Sequence, residues 1–311
     1  MKRLLCIILI ISLLCLLPGC EQQAEKTVYA MDTVMQLQVW GKDREAGIDR
    51  VTAILKEQES LWSVTDPDSV LSALNRGQEE QLQAAYRALL EKIMKLSERT
   101  GGAFDPRLGA LSRAWGFYDK VYRVPSQGEL YAAMAAPQWD LGAALKGYAG
   151  TQCVKALEQL QVDRAILNLG GNVQTFGEKP DGSPWSIGIQ NPEGGDYVGT
   201  VSVTGTAAIV TSGDYQRYFA IDGVRYHHIL DPETGMPAQS GLSSVTVICR
   251  DGLTADALST ALFVMGLEEG TAFWRASSDF EAVFITAAGE IYATEGANLS
   301  GCEFEVIGRE N

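Results

Sequence analysis

The chain contains only two histidines, His227 and His228, and they are neighbours in a segment rich in strand and turn signals. Residues 215–221 and 224–230 each alternate between apolar and polar types, and Asp222-Gly223 between them favours a tight hairpin turn. Adjacent strand residues point to opposite faces, so we expect His227 to be structural and His228 to be available for chemistry. An imidazole with an unperturbed pKa titrates near neutrality and can act as a general base. A lone strand histidine is nevertheless more often a packed structural residue, so the hairpin alone does not indicate catalysis.

A carboxylate and a hydroxyl are spaced to share one helix face further along the chain. Residues 254–266 (TADALSTALFVMG) predict a helix with Thr254 as its N-cap and Gly266 at its end. Asp256 and Thr260 are four residues apart, so their oxygens project from the same face. Mg²⁺ prefers such oxygen ligands together with carbonyl and phosphate oxygens. The alternative is that Asp256 only complements the dipole of its own helix in the first turn, and the residues by themselves favour this second explanation.

A lysine lies near a predicted helix start within residues 139–148 (WDLGAALKGY). The small residues of this segment allow the backbone to approach a neighbour closely. Lys146 in the first turns of a helix suits a phosphate group, since the free N–H groups there also attract anions. Loop–helix junctions with one lysine are common, so this segment is weak support for a nucleotide site when it is taken alone.

Charge and composition exclude one class of partner. The 311 residues carry a net charge of −14 with a pI near 4.6, and 46% of them are hydrophobic, as in an ordinary globular protein. Nucleic acid attracts basic surfaces, so we expect no nucleic-acid partner. An acidic protein that binds an anionic nucleotide needs local help from a metal ion or a helix N-terminus.

Residues 1–19 predict the signal peptide of a bacterial lipoprotein. A short basic start precedes an apolar run, residues 4–17, that is too short for a stable membrane span, and Leu17-Pro18-Gly19-Cys20 resembles a lipobox. Cys20 would then carry the lipid and residues 20–27 would form a polar tether. The protein would be anchored to the cell membrane on its extracytoplasmic side. The alternative is a plain secretory signal that is cut at another position.

Periodicity predicts one domain over residues 28–311. Helical stripes of apolar residues occur over residues 44–61 and 81–99, and short alternating strands fill the middle and the end of the chain. No internal repeat, low-complexity linker or composition break divides this region. We therefore expect a single-domain α+β fold with a largely antiparallel sheet core flanked by helices. The cysteines of this domain, Cys153, Cys249 and Cys302, have no CxxC spacing and predict neither a zinc site nor a disulfide framework.

Several motifs resemble, in order, those of the ApbE family of FAD:protein FMN transferases. Residues 211–215 (TSGDY) and 228–237 (HILDPETGMP) resemble the family pattern TSG-x-Y followed by HI-[IL]-DP-x-TG-x-P. Residues 140–148 and 255–266 resemble DLGAIAKGY and ADALATALFVMG. Residues 104–109 (FDPRLG), followed by Trp-Gly-Phe, resemble FDPTVGPL and WGF, with Arg107 and Leu108 in place of Thr and Val. Asp32 stands where the family usually has the glycine of Met-Gly-Thr.

The resemblance implies a function and a set of site residues. The implied reaction is Mg²⁺-dependent transfer of FMN from FAD to a threonine or serine hydroxyl of an acceptor flavoprotein, with release of AMP and with His228 as the general base. The metal ligands that it implies are Asp256, Thr260 and the carbonyl of Ala143, with the adjacent Ser259 as a further ligand. The implied contacts with the flavin nucleotide are Met31, Ala103, Phe104, Asp105, Asp140, Lys146, Thr211, Ser212, Gly213, Leu230 and Asp231.

Other functions remain open at this point. An FAD pyrophosphatase would use the same metal and base with water as the acceptor, and would give FMN and AMP. A non-catalytic flavin-binding lipoprotein would not need His228, Asp256 and Thr260 together, and a general solute-binding lipoprotein is disfavoured because no two-lobe arrangement is apparent. Under the family resemblance, the expected partners are FAD, an acceptor flavoprotein with a Ser/Thr flavinylation motif, and the membrane through the lipid anchor. The acceptor would be a membrane redox subunit or an extracytoplasmic protein.

Overall fold

The structure is a computed structural model and describes residues 22–309. The strands of this part of the chain are β1 (Gln23–Ala30), β2 (Thr33–Gly41), β3 (Val162–Asn168), β4 (Asn172–Phe176), β5 (Trp185–Gln190), β6 (Tyr197–Val203), β7 (Ala207–Gly213), β8 (Tyr218–Ile221), β9 (Val224–His227), β10 (Leu242–Cys249), β11 (Phe280–Thr286), β12 (Ile291–Thr294), β13 (Leu299–Ser300) and β14 (Glu305–Ile307). The helices are α1 (Arg44–Leu61), α2 (Val70–Asn75), α3 (Ala84–Arg99), α4 (Gly109–Ala114), α5 (Gln127–Ala135), α6 (Leu145–Leu157) and α7 (Gly252–Arg275).

One large sheet organises the molecule. Its nine strands lie in the order β1-β2-β3-β4-β7-β10-β11-β12-β14, and every neighbouring pair is antiparallel except β12 with β14. A three-stranded sheet, β13-β6-β5, and the two-stranded hairpin β8-β9 complete the strands of residues 22–309. The predicted α+β architecture, with a largely antiparallel sheet flanked by helices, is confirmed.

The alternation of side chains in β11 shows what covers each face of the large sheet. Ala282 and Phe284 pack with α7, whereas Val283 and Ile285 pack against the three-stranded sheet through Val201. Both faces of the strand are therefore buried, which is why its sequence (FEAVFIT) is an almost continuous apolar run. Helices thus cover one face of the large sheet and the small sheet covers part of the other.

Helix α7 is buried on two sides, and this explains its high apolar content. Leu258 and Leu262 face the sheet, while Ala257 and Ala261 face a second cluster built on α3. The helix begins at Gly252 with Asp251 as its N-cap, so the prediction that Thr254 is the cap is wrong. An aspartate three residues earlier serves instead, because its carboxylate accepts a hydrogen bond from the Thr254 N–H. Gly266 breaks the regular geometry at φ 80°, as expected, but a further helical segment continues to Arg275.

Residues 23–27 belong to a strand, although the sequence predicted a tether there. They form the first part of β1, which pairs with β2 along its whole length. The strand is an edge strand whose polar residues face solvent, while Ala24, Val28 and Ala30 are buried against α1 and its neighbours. The small number of apolar side chains on one face made this edge resemble a polar linker. The predicted signal peptide and the lipidation site Cys20 lie outside the described residues.

Several smaller predictions concern helix ends, the core and the cysteines. The predicted helix over residues 81–99 begins only at Ala84, after a 3₁₀ turn at Glu79–Gln81, and the predicted strand over residues 224–230 ends at His227. Cys153 is buried in the core as expected, and the cysteines of the described chain are free thiols. Within residues 22–309 no helix has both the length and the apolar character that a membrane crossing requires.

Candidate active site

Two glycines allow the starts of helices α6 and α7 to touch. A Cβ placed on Gly147 would overlap the carbonyl oxygen of Gly252, and a Cβ placed on Gly252 would overlap the carbonyl oxygen of Gly147. Each helix therefore presents bare backbone to the other at this point. The close approach brings Asp256, one turn into α7, directly over the first turn of α6.

The carboxylate of Asp256 caps the N-terminus of α6 from the neighbouring helix. Its Oδ2 accepts a hydrogen bond from the Gly147 N–H at 2.8 Å. That N–H is one of the groups in the first turn that lack a partner within the helix, and the N-cap residue, Ala144, has no side chain that can serve it. Asp256 does not lie in the first turn of its own helix, so the alternative explanation that it complements the dipole of α7 is wrong.

The charge state of Asp256 is set by burial and by nearby positive groups. The residue is 5% exposed, and this burial raises the pKa of the carboxyl, while the charge of Lys146 and the Gly147 N–H act in the opposite direction. The buried amide of Asn172 also favours the ionised form, although its Nδ2 falls short of a hydrogen bond. Burial thus disfavours the ionised form of Asp256, and Lys146 and Asn172 offset this only in part. A bound cation would stabilise the ionised carboxylate further.

Lys146 occupies the second position of α6, where the helix dipole disfavours a cation. Within residues 22–309 it pairs with no carboxylate by an ion pair, yet its charge acts on both Asp256 and His228. The charge of this lysine therefore acts on both residues to which the sequence analysis assigned metal binding and base catalysis. A free ammonium at a helix N-terminus suits a phosphate group.

Hydroxyl groups extend the site from α7 to the end of β7. The Ser212 Oγ lies 2.8 Å from the Ser259 Oγ and 3.2 Å from the Thr260 Oγ1. The Ser259 hydroxyl also donates to the Asp256 carbonyl at 2.9 Å, which fixes its rotamer. Thr211, the neighbour of Ser212 in β7, points to the other face of the sheet, where its Oγ1 lies 2.8 Å from the Thr246 Oγ1. The structure thus brings Ser212, Ser259, Thr260 and Asp256 together and turns the Thr211 side chain away.

The backbone of Arg217 holds the imidazole of His228. The Arg217 carbonyl accepts from the His228 N–H at 3.1 Å and lies 3.1 Å from its Nδ1. A carbonyl can only accept, so Nδ1 carries the proton, and the neutral ring keeps its lone pair on Nε2. His227 lies on the other side of the strand end, buried, with its Nε2 on the Ala238 carbonyl at 3.1 Å, which agrees with the structural role expected for it.

The expectation that the imidazole of His228 is unperturbed is wrong. Desolvation of the half-buried ring, reinforced by the positive charges of Arg217 and Lys146, lowers its pKa to about 3. The ring is therefore neutral at physiological pH, and its Nε2 is free to accept a proton. The sequence could not show this, because the charges come from residues distant in the chain.

Other predicted site residues lie on the rim or in the core. Asp140 accepts from the Tyr118 hydroxyl at 2.6 Å and from the Gly142 N–H at 2.8 Å, and its own N–H donates to the Pro106 carbonyl. Asp105 forms a two-pronged ion pair with Arg107, with both nitrogen–oxygen distances at 3.0 Å. The backbone bond between residues 106 and 140 thus joins the two motif segments.

Three of the predicted contacts have apolar side chains that pack in clusters. Phe104 is buried with Ala103 beside it in the cluster on α3, and Leu230 is buried next to Trp115. Asp231 accepts from the Glu233 N–H and from the Thr234 hydroxyl, so its carboxylate shapes its own turn.

Met31 and Gly213 lie at strand ends. The Met31 N–H donates to the Glu59 carboxylate at 2.7 Å, and Met31 begins the turn between β1 and β2. Gly213 is the last residue of β7, next to Ser212.

Sequence reasoning missed Arg217 and Asn172 as site residues. In the sequence neither residue has a chemical signal, because Arg217 falls within the predicted strand over residues 215–221 and Asn172 follows Gly170 and Gly171 at the start of β4.

The surface has clefts away from this site, and none is a better candidate. One, of about 450 Å³, is lined by Trp40, Trp185, Lys179 and neighbours, and another, of about 340 Å³, lies between α1, α3 and α6. Neither includes Asp256, Lys146 or His228. Residues 22–309 contain no group of three or more His, Cys, Asp or Glu side chains that could hold a metal ion. A metal ion near Asp256 would therefore depend on hydroxyl, carbonyl and phosphate oxygens.

Comparison with known proteins places this arrangement in a family. The family model described as "ApbE family" matches residues 31–284, which includes every segment of the site. The chain belongs to the ApbE family.

Relatives and solved ApbE structures agree over most of the chain. The FAD:protein FMN transferase of Treponema pallidum is 31% identical and covers 92% of each chain, and that of Klebsiella pneumoniae is 32% identical over 89% of this chain and 95% of its own. The crystal structure of the ApbE protein of Thermotoga maritima has a TM-score of 0.81 at 31% identity and covers 88% of this chain and 97% of that one. The apo flavinyl transferase ApbE of Pseudomonas stutzeri has a TM-score of 0.74 at 30% identity, with coverages of 87% and 93%. The proteins of Treponema pallidum, Klebsiella pneumoniae and Pseudomonas stutzeri are named as transferases.

Proposed function

We propose that this protein is an FAD:protein FMN transferase that moves FMN from FAD to a threonine or serine hydroxyl of an acceptor flavoprotein and releases AMP. The proposal is supported by the names of its relatives, which span nearly the whole chain. Its own residues support it through one observation. The 2.8 Å contact of the Asp256 carboxylate with the Gly147 N–H sets an oxygen ligand set beside the start of α6, where the charge of Lys146 acts on both Asp256 and His228.

The residues around Asp256 fit a divalent cation. Burial raises the pKa of the Asp256 carboxyl, and a bound cation would lower that pKa again by favouring the ionised form. The hydroxyls of Ser259 and Thr260 lie on the same face of α7 and could act as further oxygen ligands. The Ala143 carbonyl precedes the first intrahelical acceptor of α6, so the helix does not use it. We propose these four groups as Mg²⁺ ligands. The cation, when bound, would neutralise negative charge on the diphosphate of FAD.

Lys146 and the start of α6 would bind the diphosphate, and His228 would receive the proton. The acceptor hydroxyl oxygen forms a bond to the phosphorus of the FMN moiety, and the bond from that phosphorus to the oxygen of the AMP phosphate breaks. AMP leaves with that electron pair, and the proton of the hydroxyl passes to the Nε2 of His228. A pKa near 3 makes the free imidazole a weak base. The negative charge of bound FAD would raise this pKa toward neutrality.

We also propose the location that the leader sequence favours. Lipidation at Cys20 would tether the folded domain, which begins at β1, to the extracytoplasmic face of the cell membrane. The acceptor would then be a membrane redox subunit or an extracytoplasmic flavoprotein with a Ser/Thr flavinylation motif. The tether would be very short, because β1 begins at Gln23.

One incubation tests the reaction and separates it from hydrolysis. The protein is incubated with FAD and Mg²⁺, with an acceptor domain that carries the flavinylation threonine, and with the same domain after substitution of that threonine by alanine. We expect a covalent FMN adduct and one AMP per adduct with the first domain, and neither with the second. Rapid release of free FMN and AMP without any acceptor would instead identify an FAD pyrophosphatase.

A further inference from the structure

Asp32 occupies an unusual backbone position at the edge of the site. It is the second residue of the two-residue turn between β1 and β2, and both turn residues are left-handed, with φ 51° for Met31 and 60° for Asp32. Aspartate tolerates this conformation better than most side chains, whereas methionine does not favour it. A strained turn persists where the surrounding structure holds it in place. The contacts of the Asp32 carboxylate provide such a hold.

Three groups from three segments converge on this carboxylate. The Tyr29 hydroxyl donates to Oδ1 at 2.9 Å, and the Lys120 Nζ lies 3.3 Å from the same oxygen. The Arg217 guanidinium donates to Oδ2 at 3.1 Å. Lys120 follows α4 and is itself left-handed at φ 59°, and Arg217 lies between β7 and β8. Asp32 therefore joins the β1–β2 turn to the loop after α4 and to the segment between β7 and β8.

Asp32 is ionised at neutral pH. Partial burial acts to raise the pKa of its carboxyl, but the hydrogen bonds from Tyr29 and Lys120 and the charges of Lys120 and Arg217 outweigh burial and hold the pKa below its ordinary value. A network of several charges on one carboxylate is a firmer contact than an isolated surface pair.

Arg217 carries this contact onward to the imidazole. Its guanidinium binds Asp32, and its carbonyl accepts both the backbone N–H and the Nδ1–H of His228, each at 3.1 Å. The side chain and the backbone carbonyl of Arg217 thus connect the Asp32 carboxylate to the tautomer of the His228 ring. If the loop around Arg217 moved, Nδ1 would lose its acceptor, and the preference for a lone pair on Nε2 would weaken.

We propose that Asp32 is a positioning residue that holds Arg217 in place and so keeps His228 in the tautomer whose Nε2 accepts a proton. The proposal rests on the proposed function only in that His228 is taken as the base. Asp32 itself does not touch the reacting atoms in this account.

The matched variants are Asp32→Asn and Asp222→Asn. Asparagine keeps the size of the side chain and tolerates the left-handed backbone, so Asp32→Asn removes the charge and leaves the turn intact. Asp222 is also an exposed aspartate in a two-residue hairpin turn, at φ 52°, and within residues 22–309 it pairs with no cation. The two substitutions therefore change the net charge equally in similar backbone settings.

The readout is the tautomer of His228 in the full-length protein, from the ¹⁵N shifts and long-range ¹H couplings of its ring nitrogens. The chain has only two histidines, so one His227→Gln spectrum assigns both. We expect wild type and Asp222→Asn to show the Nδ1–H form of His228, and Asp32→Asn to show a mixture with the Nε2–H form. FMN transfer to an acceptor domain should fall roughly tenfold in kcat for Asp32→Asn, as misplacement of a catalytic group causes, and should be unchanged for Asp222→Asn.

The outcomes separate this inference from the proposed function. A folded Asp32→Asn protein with the wild-type tautomer would overturn the inference, and so would an equal change in Asp222→Asn. A changed tautomer with an unchanged rate would support the positioning role and remove the base role from His228. If Asp32→Asn failed to fold, Arg217→Gln would take its place, since it breaks the same contact while keeping the backbone carbonyl; a wild-type tautomer in that variant would overturn the inference.

Discussion

At the scale of single residues, the site depends on two groups whose burial opposes their usual charge. Desolvation disfavours both the ionised carboxylate of Asp256 and the protonated imidazolium of His228. The positive charge of Lys146 favours the carboxylate of Asp256 and further disfavours the imidazolium of His228. Such environments are costly for stability and are found where binding or catalysis requires them. If Asp256 and His228 serve function at the expense of stability, replacing them should reduce activity without reducing stability, which a purely structural role would not predict.

Substitution of Asp256 by asparagine should abolish function without loss of stability. At neutral pH in metal-free buffer, the raised pKa means that ionising this carboxyl costs folding free energy, and asparagine removes that cost while its Oδ1 can still accept from Gly147. We expect FMN transfer to fall by about a hundredfold or more, and the Tm at pH 7 in EDTA to stay level or rise. A Tm well below that of wild type would mean that the carboxylate serves mainly to cap α6.

The lowered pKa of His228 predicts how stability changes with pH. Between its ordinary value of 6.5 and about 3, the unfolded chain takes up a proton that the folded ring refuses, so stability falls as the pH falls through this window. Denaturant unfolding of wild type and His228→Gln at pH 7 and pH 4.5 should show a smaller loss in the variant. His227, whose pKa is also lowered, is present in both proteins, so the difference isolates His228. Equal losses would contradict the lowered pKa of the His228 ring.

At the scale of elements, the site exists because α6 and α7 meet at two glycines. Much of each helix could be predicted from periodicity, and so could the shared face of Asp256 and Thr260. The crossing could not, because Gly147 and Gly252 lie far apart in the sequence and each reads only as a small residue near a helix start. The same limit applies to β1, whose burial depends on α1 and not on its own polar composition.

An added methyl group at the crossing should separate the helices. Gly147→Ala places a Cβ against the Gly252 carbonyl oxygen, so we expect a loss of at least about 2 kcal/mol in the free energy of unfolding and a large loss of transfer activity. Gly128→Ala is the matched control, because a Cβ at that position of α5 meets no atom within 4 Å beyond its chain neighbours and the backbone of its own helix. The control should be neutral or stabilising by up to about 1 kcal/mol. Equal effects of the two substitutions in denaturant unfolding would refute the close approach.

At the scale of the whole molecule, one sheet gathers short motifs from distant parts of the chain. The β1–β2 turn, the end of β7, the starts of α6 and α7 and the segment after β9 supply the candidate residues, and the motifs in the sequence marked most of them. Burial, charge coupling and the contacts of Arg217 arise only when these segments meet, so neither the lowered pKa of His228 nor the link from Asp32 could be predicted. In an acidic protein, Lys146 would be the local source of positive charge for an anionic ligand, because Lys120 and Arg217 are already paired with Asp32.

The most direct test of the account measures FAD binding and FMN transfer side by side in Asp256→Ala and His228→Ala. FAD binding is followed by titration with and without Mg²⁺, and transfer by the mass of the acceptor domain. We expect Asp256→Ala to lose both Mg²⁺-dependent FAD binding and transfer, and His228→Ala to keep binding and lose transfer. Transfer at the wild-type rate by either variant would contradict the assigned roles.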